Sequence, residues 1–125
     1  GIPVAILTGR VSAQTAARAA ELGICSVAQG KQFKTRAFES ILAEHGCSAS
    51  ECAYMGDDVP DIPVLDMAGL STAPADADPA IAAMVDWVAP KNGGNGAVRS
   101  LAEFILHAQG KWDALVKARY VQGKI

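Results

Sequence analysis

The stretch ECAYMGDDVPDIPVL, residues 51–65, sets a short apolar run directly before three aspartates that fall within five residues. The run 51–56 has the length and composition of a buried strand, and 61–69 has the spacing of a short helix. A strand that ends at a glycine and passes into a helix is typical of a βαβ unit. The stretch therefore predicts an α/β fold, and it leaves open what balances the crowded carboxylates.

The same alternation extends along the chain in both directions. Strands are predicted at 2–7, 24–29, 51–56, 70–75 and 86–90, and helices at 12–23, 34–46, 61–69, 78–85 and 96–120, the last interrupted near Gly110. Ser12 and Gly23 have the residue types of a helix N-cap and C-cap. Because the strand runs are apolar throughout, we expect a mainly parallel sheet with helices on both faces.

Composition narrows the class of protein. The chain has 125 residues, half of them hydrophobic, which is enough for one compact domain with a core. A net charge of −2 without long blocks of one sign argues against a nucleic-acid-binding surface. No run approaches the roughly 18 apolar residues of a membrane span, and no signal peptide is recognisable. Three cysteines in no zinc or disulfide spacing indicate reduced thiols that behave as small hydrophobes in a cytoplasmic protein.

Polar side chains follow the predicted strands at the ends that a parallel sheet brings to one edge. They lie in four segments: Thr8, Gly9 and Arg10; the loop 30–34 with Lys34; Gly56 with Asp57, Asp58 and Asp61; and the loop KNGGNG, 91–96. We therefore expect a hydroxyl, a guanidinium, an ammonium group and a carboxylate cluster to converge.

Clustered carboxylates suit a hard divalent cation such as Mg²⁺, whose charge balances theirs. Thr8, Arg10 and Lys34 are the donors that a phosphate group would need, so the set favours phosphoryl-transfer chemistry. Each part also has a plainer interpretation. GDD is a polar turn that caps the next helix, TGR is a common strand-to-helix turn, and Lys34 is a solvated surface residue. The loop 91–96 lacks the lysine and Ser/Thr of a Walker motif and is interpreted as a flexible loop at the border of the site.

The order of these motifs resembles a known family. A strand ending in Thr8, then Lys34, then a strand ending in GDDVPD resembles motifs two, three and four of haloacid-dehalogenase-like phosphatases. Over residues 1–115 the chain resembles more specifically the 3-deoxy-D-manno-octulosonate 8-phosphate phosphatases, in the segments GIPVAILTGR, LGI…QGKQFK, YMGDDVPDIPVL, GLSTAPADADP and GGNGAVRSL…LHAQGKW. The resemblance implies a Rossmann-like three-layer sandwich without a large cap domain. It also implies a homotetramer and Mg²⁺-dependent hydrolysis of a sugar-acid phosphate in lipopolysaccharide synthesis.

The resemblance also implies roles for the residues that match the motifs. On the phosphate side, Thr8 would hydrogen-bond a phosphoryl oxygen with the Gly9 backbone nearby, Arg10 would contact phosphate or substrate, and Lys34 would neutralise the phosphoryl charge. On the acidic side, Asp57 would ligate Mg²⁺, Asp58 would act through water or support the ligand, and Asp61 would support Lys34 or a metal-bound water.

One part of the family pattern is absent. The family begins with a DxDxxxT/V strand whose first aspartate is the nucleophile, and no aspartate precedes Asp57 in this chain. We therefore expect 1–118 to be a hydrolase core without its first strand, 119–125 to be a basic tail that is mobile or docked on another surface, and the chain alone to be inactive. A fragment, a late-start gene model and a short relative remain alternatives. So do a non-catalytic anion-binding or assembly module and a phosphatase for another sugar-acid phosphate.

Overall fold

The computed structural model describes residues 1–31, 33–121 and 123, and strands and helices alternate along them. The strands are β1 Ala5–Leu7, β2 Ser26–Ala28, β3 Ala53–Met55, β4 Leu70–Ala73 and β5 Trp87–Val88. The helices are α1 Ala13–Glu21, α2 Lys34–His45, α3 Ile62–Met67, α4 Pro79–Met84, α5 Ala97–Ala108 and α6 Trp112–Val116. Short 3₁₀ turns at Ala49–Glu51 and Val59–Asp61 and a π-helical turn at Lys117–Val121 complete the order. The predicted α/β fold is confirmed; the predicted tail lies in part outside the described residues.

All strand pairs are parallel, as predicted, but they are distributed over two sheets. One sheet pairs β1 with β2, with Ile6 opposite Val27, and the other has the order β3-β4-β5, with Tyr54 opposite Ser71. Over the described residues, β1 and β3 therefore each pair along one edge only. Both strands are incompletely buried: Ala5 is exposed, and the remaining residues of β1 and all of β3 are half-buried.

The core lies on the three-stranded sheet. Leu65 of α3, Ala73 of β4 and Ile81 of α4 form its buried centre, with Tyr54 among the side chains packed against it. Helix α2 joins this core to the other sheet, because it contacts both β1 and α3. Its buried Phe38 meets the Tyr54 ring edge-on, with centroids 6.1 Å apart.

Local signals in the sequence explain where the first helix begins and ends. The Ser12 hydroxyl accepts the Thr15 N–H at 3.3 Å, which satisfies one of the open donors of α1. After α1, Gly23 adopts φ +72°, a left-handed conformation that costs glycine least. The predicted Ser12 N-cap is confirmed, whereas the C-cap is Leu22 and Gly23 follows it by one residue.

Two further expectations can be compared with the structure. The three cysteines are free, and Cys25 is exposed rather than packed as a small hydrophobe. Within the described residues, no helix has the length and apolar character needed to cross a membrane.

Candidate active site

The loops that follow β1 and β2 lie side by side. The Lys31 N–H donates to the Thr8 carbonyl at 3.1 Å, and the Gly30 N–H donates to the Arg10 carbonyl at 3.2 Å. Gly30 has φ +68°, so the turn that brings the two loops together suits a glycine. The second loop leads directly into α2, whose first residue is Lys34. The main chain of Thr8 is therefore placed beside the segment that leads to the lysine.

Asp61 is the centre of a hydrogen-bonded group that spans α2, β3 and the loop after β3. Its side chain is almost fully buried, and its Oδ1 accepts from Lys34 Nζ at 2.6 Å and from the Tyr54 hydroxyl at 2.7 Å. Its Oδ2 accepts the main-chain N–H groups of Asp57 at 3.0 Å and Asp58 at 3.3 Å. Four donors occupy the carboxylate, so Asp61 is placed to orient Lys34 and the 57–58 backbone rather than to ligate a metal ion.

The pKa values of Asp61 and Tyr54 are shifted in opposite directions. Burial favours the neutral acid, but hydrogen bonds from Lys34, Tyr54 and the Asp57 N–H outweigh it and hold the pKa of Asp61 below its ordinary value. Burial, and then the hydrogen bond to Asp61, raise the pKa of Tyr54, which keeps its hydroxyl a donor. Because the Lys34 side chain is 14% exposed, the interpretation of this residue as a solvated surface lysine is wrong.

Gly56 is required by the close approach of Asp61. A Cβ at residue 56 would lie 2.5 Å from Asp61 Cβ, a distance that real Cβ atoms essentially never show. The Gly56 N–H donates to the Thr72 carbonyl at 3.1 Å, which fixes the end of β3 against β4. The glycine of the GDD motif therefore allows the carboxylate of Asp61 to fold back under the loop.

Asp57 and Asp58 are both exposed, but their surroundings differ. Asp58 Oδ1 accepts the Val59 N–H at 2.7 Å and caps the 3₁₀ turn, so the polar-turn interpretation describes this residue. The Asp57 carboxylate makes no hydrogen bond or ion pair with any described residue, which leaves its oxygens open to a cation. No group of three or more acidic, His or Cys side chains within the described ranges is placed to hold a metal ion. A cation here would therefore need water or substrate oxygens as well, which is how Mg²⁺ is usually held.

The remaining candidates lie at the rim. The Arg10 N–H donates to Thr8 Oγ1 at 3.2 Å, while the Arg10 side chain is exposed and contacts no described acidic group. Gly9 is also exposed, beside the Lys31 carbonyl. The structure therefore joins Lys34, Asp61 and the 57–58 backbone directly, and it places Thr8 with Gly9 and Arg10 on the neighbouring loop.

Tyr54 belongs to the site but was not predicted from the sequence. It lies in a strand whose other side chains have no strong hydrogen-bonding group. A tyrosine that is buried in such a strand needs a partner for its hydroxyl, and the first aspartate of the acidic motif follows three residues later. The need for a hydrogen-bond partner for the Tyr54 hydroxyl was therefore the sequence signal that could have identified this residue.

The chain is similar to known proteins over most of its length. A family model described as haloacid dehalogenase-like hydrolase matches residues 4–101. The 3-deoxy-D-manno-octulosonate 8-phosphate phosphatase KdsC of Escherichia coli is 43% identical over 112 residues, which cover 90% of this chain and 60% of that protein.

Two crystal structures extend this similarity. The 3-deoxy-D-manno-octulosonate 8-phosphate phosphatase from Yersinia pestis superposes with a TM-score of 0.88 at 42% identity, over 90% of this chain and 60% of that one. The enzyme of the same name from Moraxella catarrhalis, in complex with magnesium, phosphate and a KDO molecule, gives 0.89 at 41% identity, over 93% and 67%. The chain thus spans about 60% of the length of the curated relatives it matches. By the family model that covers most of its residues, the chain belongs to the haloacid dehalogenase-like hydrolases.

Proposed function

We propose that the chain carries the phosphate- and Mg²⁺-binding part of a phosphomonoesterase for 3-deoxy-D-manno-octulosonate 8-phosphate, an enzyme of lipopolysaccharide precursor synthesis. The observation that carries the proposal is the Asp61 carboxylate, which joins Lys34 and the 57–58 backbone into one group. The likeness to the KdsC enzymes, and the magnesium, phosphate and KDO in the Moraxella complex, support the choice of ligands.

Each residue of the group then has a distinct task. Lys34 Nζ gives one hydrogen bond to Asp61 and keeps two N–H groups for phosphoryl oxygens. The Thr8 hydroxyl accepts the Arg10 N–H and can donate to the same phosphoryl group. Asp57 binds Mg²⁺ directly, and Asp58, partly occupied by its capping bond, binds through water. Bound Mg²⁺ supplies positive charge that neutralises the phosphoryl oxygens.

We further propose that the aspartate nucleophile is carried by a strand that lies between β1 and β3. Each of these strands pairs along one edge only in the part of the chain that the structure describes, and both are incompletely buried. Thr8, proposed to bind the phosphate, follows β1, and Asp57, proposed to bind Mg²⁺, follows β3, on either side of this interval. On this proposal the 125 residues alone bind the ligands but do not turn over the substrate.

Binding and turnover by the 125-residue chain test these statements separately. In calorimetric titrations, Asp57→Asn should weaken Mg²⁺ binding at least about tenfold, because a direct ligand loses its charge. Lys34→Met should weaken phosphate binding by a similar factor, since a desolvated cation is removed. Asp66→Asn is the matched control, because Asp66 is exposed on α3 and makes no side-chain hydrogen bond within the described ranges. Absence of Mg²⁺ and phosphate binding contradicts the proposed site, and hydrolysis by the chain alone contradicts the missing nucleophile.

A non-catalytic anion-binding or assembly module is the second candidate. It is favoured by the fact that no described acidic side chain other than Asp61 contacts Lys34. An extended chain with a DxD-bearing strand distinguishes the two: the enzyme gains hydrolysis, whereas the module binds without turnover. A panel of sugar-acid phosphates given to the extended chain distinguishes the proposed substrate from other phosphomonoesters.

We also propose a cytoplasmic homotetramer in which a neighbour covers the rim of the site. Three apolar side chains that are adjacent in sequence to site residues are exposed, Val11 at 82%, Phe33 at 79% and Val59 at 57%. Apolar groups grouped around a polar site favour coverage by another protein surface. Light scattering coupled to size-exclusion chromatography measures the assembly, and a monomer at micromolar concentration contradicts it.

A further inference from the structure

Hydrogen bonds connect the loop after β4 to the acidic loop after β3. The Asp78 N–H donates to the Asp57 carbonyl at 3.1 Å. Asp78 is also the N-cap of α4, where its Oδ1 accepts the Ala80 N–H at 2.9 Å. The position of the loop after β4 is therefore tied both to a helix and to the residue proposed to bind Mg²⁺.

The loop after β5 is tied to the loop after β4 in turn. The Ala75 N–H donates to the Lys91 carbonyl at 2.9 Å, and Asp76 Oδ1 accepts the Gly93 N–H at 2.8 Å. Because β3, β4 and β5 are neighbouring parallel strands, all three loops lie at the same edge of the sheet. Of these links between loops, the contact of Asp76 is the one made by a side chain.

The 91–96 loop needs such a restraint. It contains Gly94 at φ +72° and Gly96 at φ +103°, conformations that glycine adopts readily. Glycine also loses more conformational entropy than other residues when a loop becomes ordered. The Asp76 carboxylate fixes the loop at Gly93, immediately before the first of these residues. Loss of this bond would leave a loop that samples many more backbone conformations.

The restrained loop presents groups that the phosphate and metal site does not use. Lys91 and Asn92 are exposed, as is Asn95. The Lys91 stem lies over Gly96, where an added Cβ would be 3.7 Å from Lys91 Cγ. An ammonium group with two amides suits a ligand that has both a carboxylate and hydroxyl groups.

We propose that Asp76 is a positioning residue that holds the 91–96 loop against the non-phosphate part of the substrate, a polyhydroxylated acid whose carboxylate pairs with Lys91. This inference rests on the proposed function, and it adds a specificity surface on the far side of Asp57 from Lys34. Asp76 acts through the Gly93 N–H and does not touch the substrate.

The test titrates the 125-residue chain with two probes, inorganic phosphate with Mg²⁺ and the sugar acid 3-deoxy-D-manno-octulosonate. Asp76→Ala and Lys91→Met should each weaken sugar-acid binding about fivefold or more, the size of one lost polar contact, and leave phosphate binding within about twofold. Asp76→Asn should restore binding, because its amide oxygen still accepts the Gly93 N–H. Asp66→Ala is the control, since this exposed carboxylate lies on α3 away from the loop.

Hydrogen exchange gives a readout that is independent of ligand. The Gly93 amide should exchange faster in Asp76→Ala but not in Asp76→Asn or Lys91→Met. Any one of three results overturns the inference. The affinities for both probes could fall equally, sugar-acid binding could be unchanged in Asp76→Ala, or the unsubstituted chain could fail to bind the sugar acid. If phosphate and Mg²⁺ do not bind, but the sugar acid binds and its binding still depends on Asp76, the proposed function is contradicted and this surface is supported.

Discussion

Replacing Asp61 by alanine is expected to destabilise the fold strongly, even though the residue belongs to the site. The substitution leaves the ammonium group of Lys34, whose side chain is 14% exposed, without a counter-charge among the described residues. It also removes the acceptor of the Tyr54 hydroxyl and of the Asp57 and Asp58 N–H groups. Every one of these donors then depends on water that enters a largely buried space.

The size of the effect follows from these contacts. Removing one partner of a buried ion pair costs about 3–5 kcal/mol, and an unmatched buried donor costs about 1–3 kcal/mol. These contributions overlap because one carboxylate serves all the donors, so we expect Asp61→Ala to cost about 4 kcal/mol. Asp61→Asn keeps one acceptor oxygen and the shape of the side chain, and should cost about half as much.

Urea unfolding followed by tryptophan fluorescence measures the difference, with Asp66→Ala as the exposed acidic control. The dependence of the unfolding free energy on urea should stay the same in all variants, so that midpoints report stability. A loss below about 1 kcal/mol for Asp61→Ala, close to that of a surface substitution, would refute the reasoning. It would mean that the ion pair contributes little to holding α2 against the loop after β3.

Three further predictions concern pH, packing and thiol reactivity. The pKa of Asp61 lies below its ordinary value of 3.8, so the ion pair should stabilise the fold fully above that pH and lose its contribution as the pH falls through the lower pKa of the folded state. The difference in unfolding free energy between the unsubstituted chain and Asp61→Asn, measured by urea unfolding, should therefore shrink on acidification. A difference that stays constant with pH would contradict this. Gly56→Ala should lower the thermal unfolding midpoint by the equivalent of about 1–3 kcal/mol, whereas Gly9→Ala, whose Cβ would be 3.7 Å from the nearest atom, should change stability little. A maleimide should label exposed Cys25 well before Cys52, because burial raises the pKa of the Cys52 thiol. Mass spectrometry of timed samples measures the two labelling rates, and equal rates would contradict the prediction.

The order of elements could be predicted because its signals are local. Apolar runs end at glycines, and Ser12 and Gly23 mark the ends of α1 by their own hydrogen bonding and φ angle. The signal that places Asp57 just after a strand is equally local, since β3 ends at Met55. Convergence at one edge then follows from parallel pairing, which the apolar strands indicated.

The partners of Asp61 could not be predicted from local signals. Lys34 lies 27 residues earlier in the chain, and its distance from Asp61 depends on how α2 packs across two sheets. The family resemblance suggested this pair, but it did not indicate Tyr54 or the two main-chain donors. The division into two sheets is also non-local, because strand pairing depends on which edges meet in the folded chain.

The contrast between Asp57 and Asp61 bears on how activity can be lost during evolution. Lys34 and Asp61 stabilise the fold whether or not a reaction takes place, so a descendant that had abandoned chemistry would still be selected to keep them. Asp57 faces solvent with its carboxylate unused by the described residues, and nothing in the architecture would resist its replacement. If Asp57 binds Mg²⁺ as proposed, the solvent-facing aspartate is the residue that separates working enzymes from silent ones among homologues of this chain, and the buried pair is not.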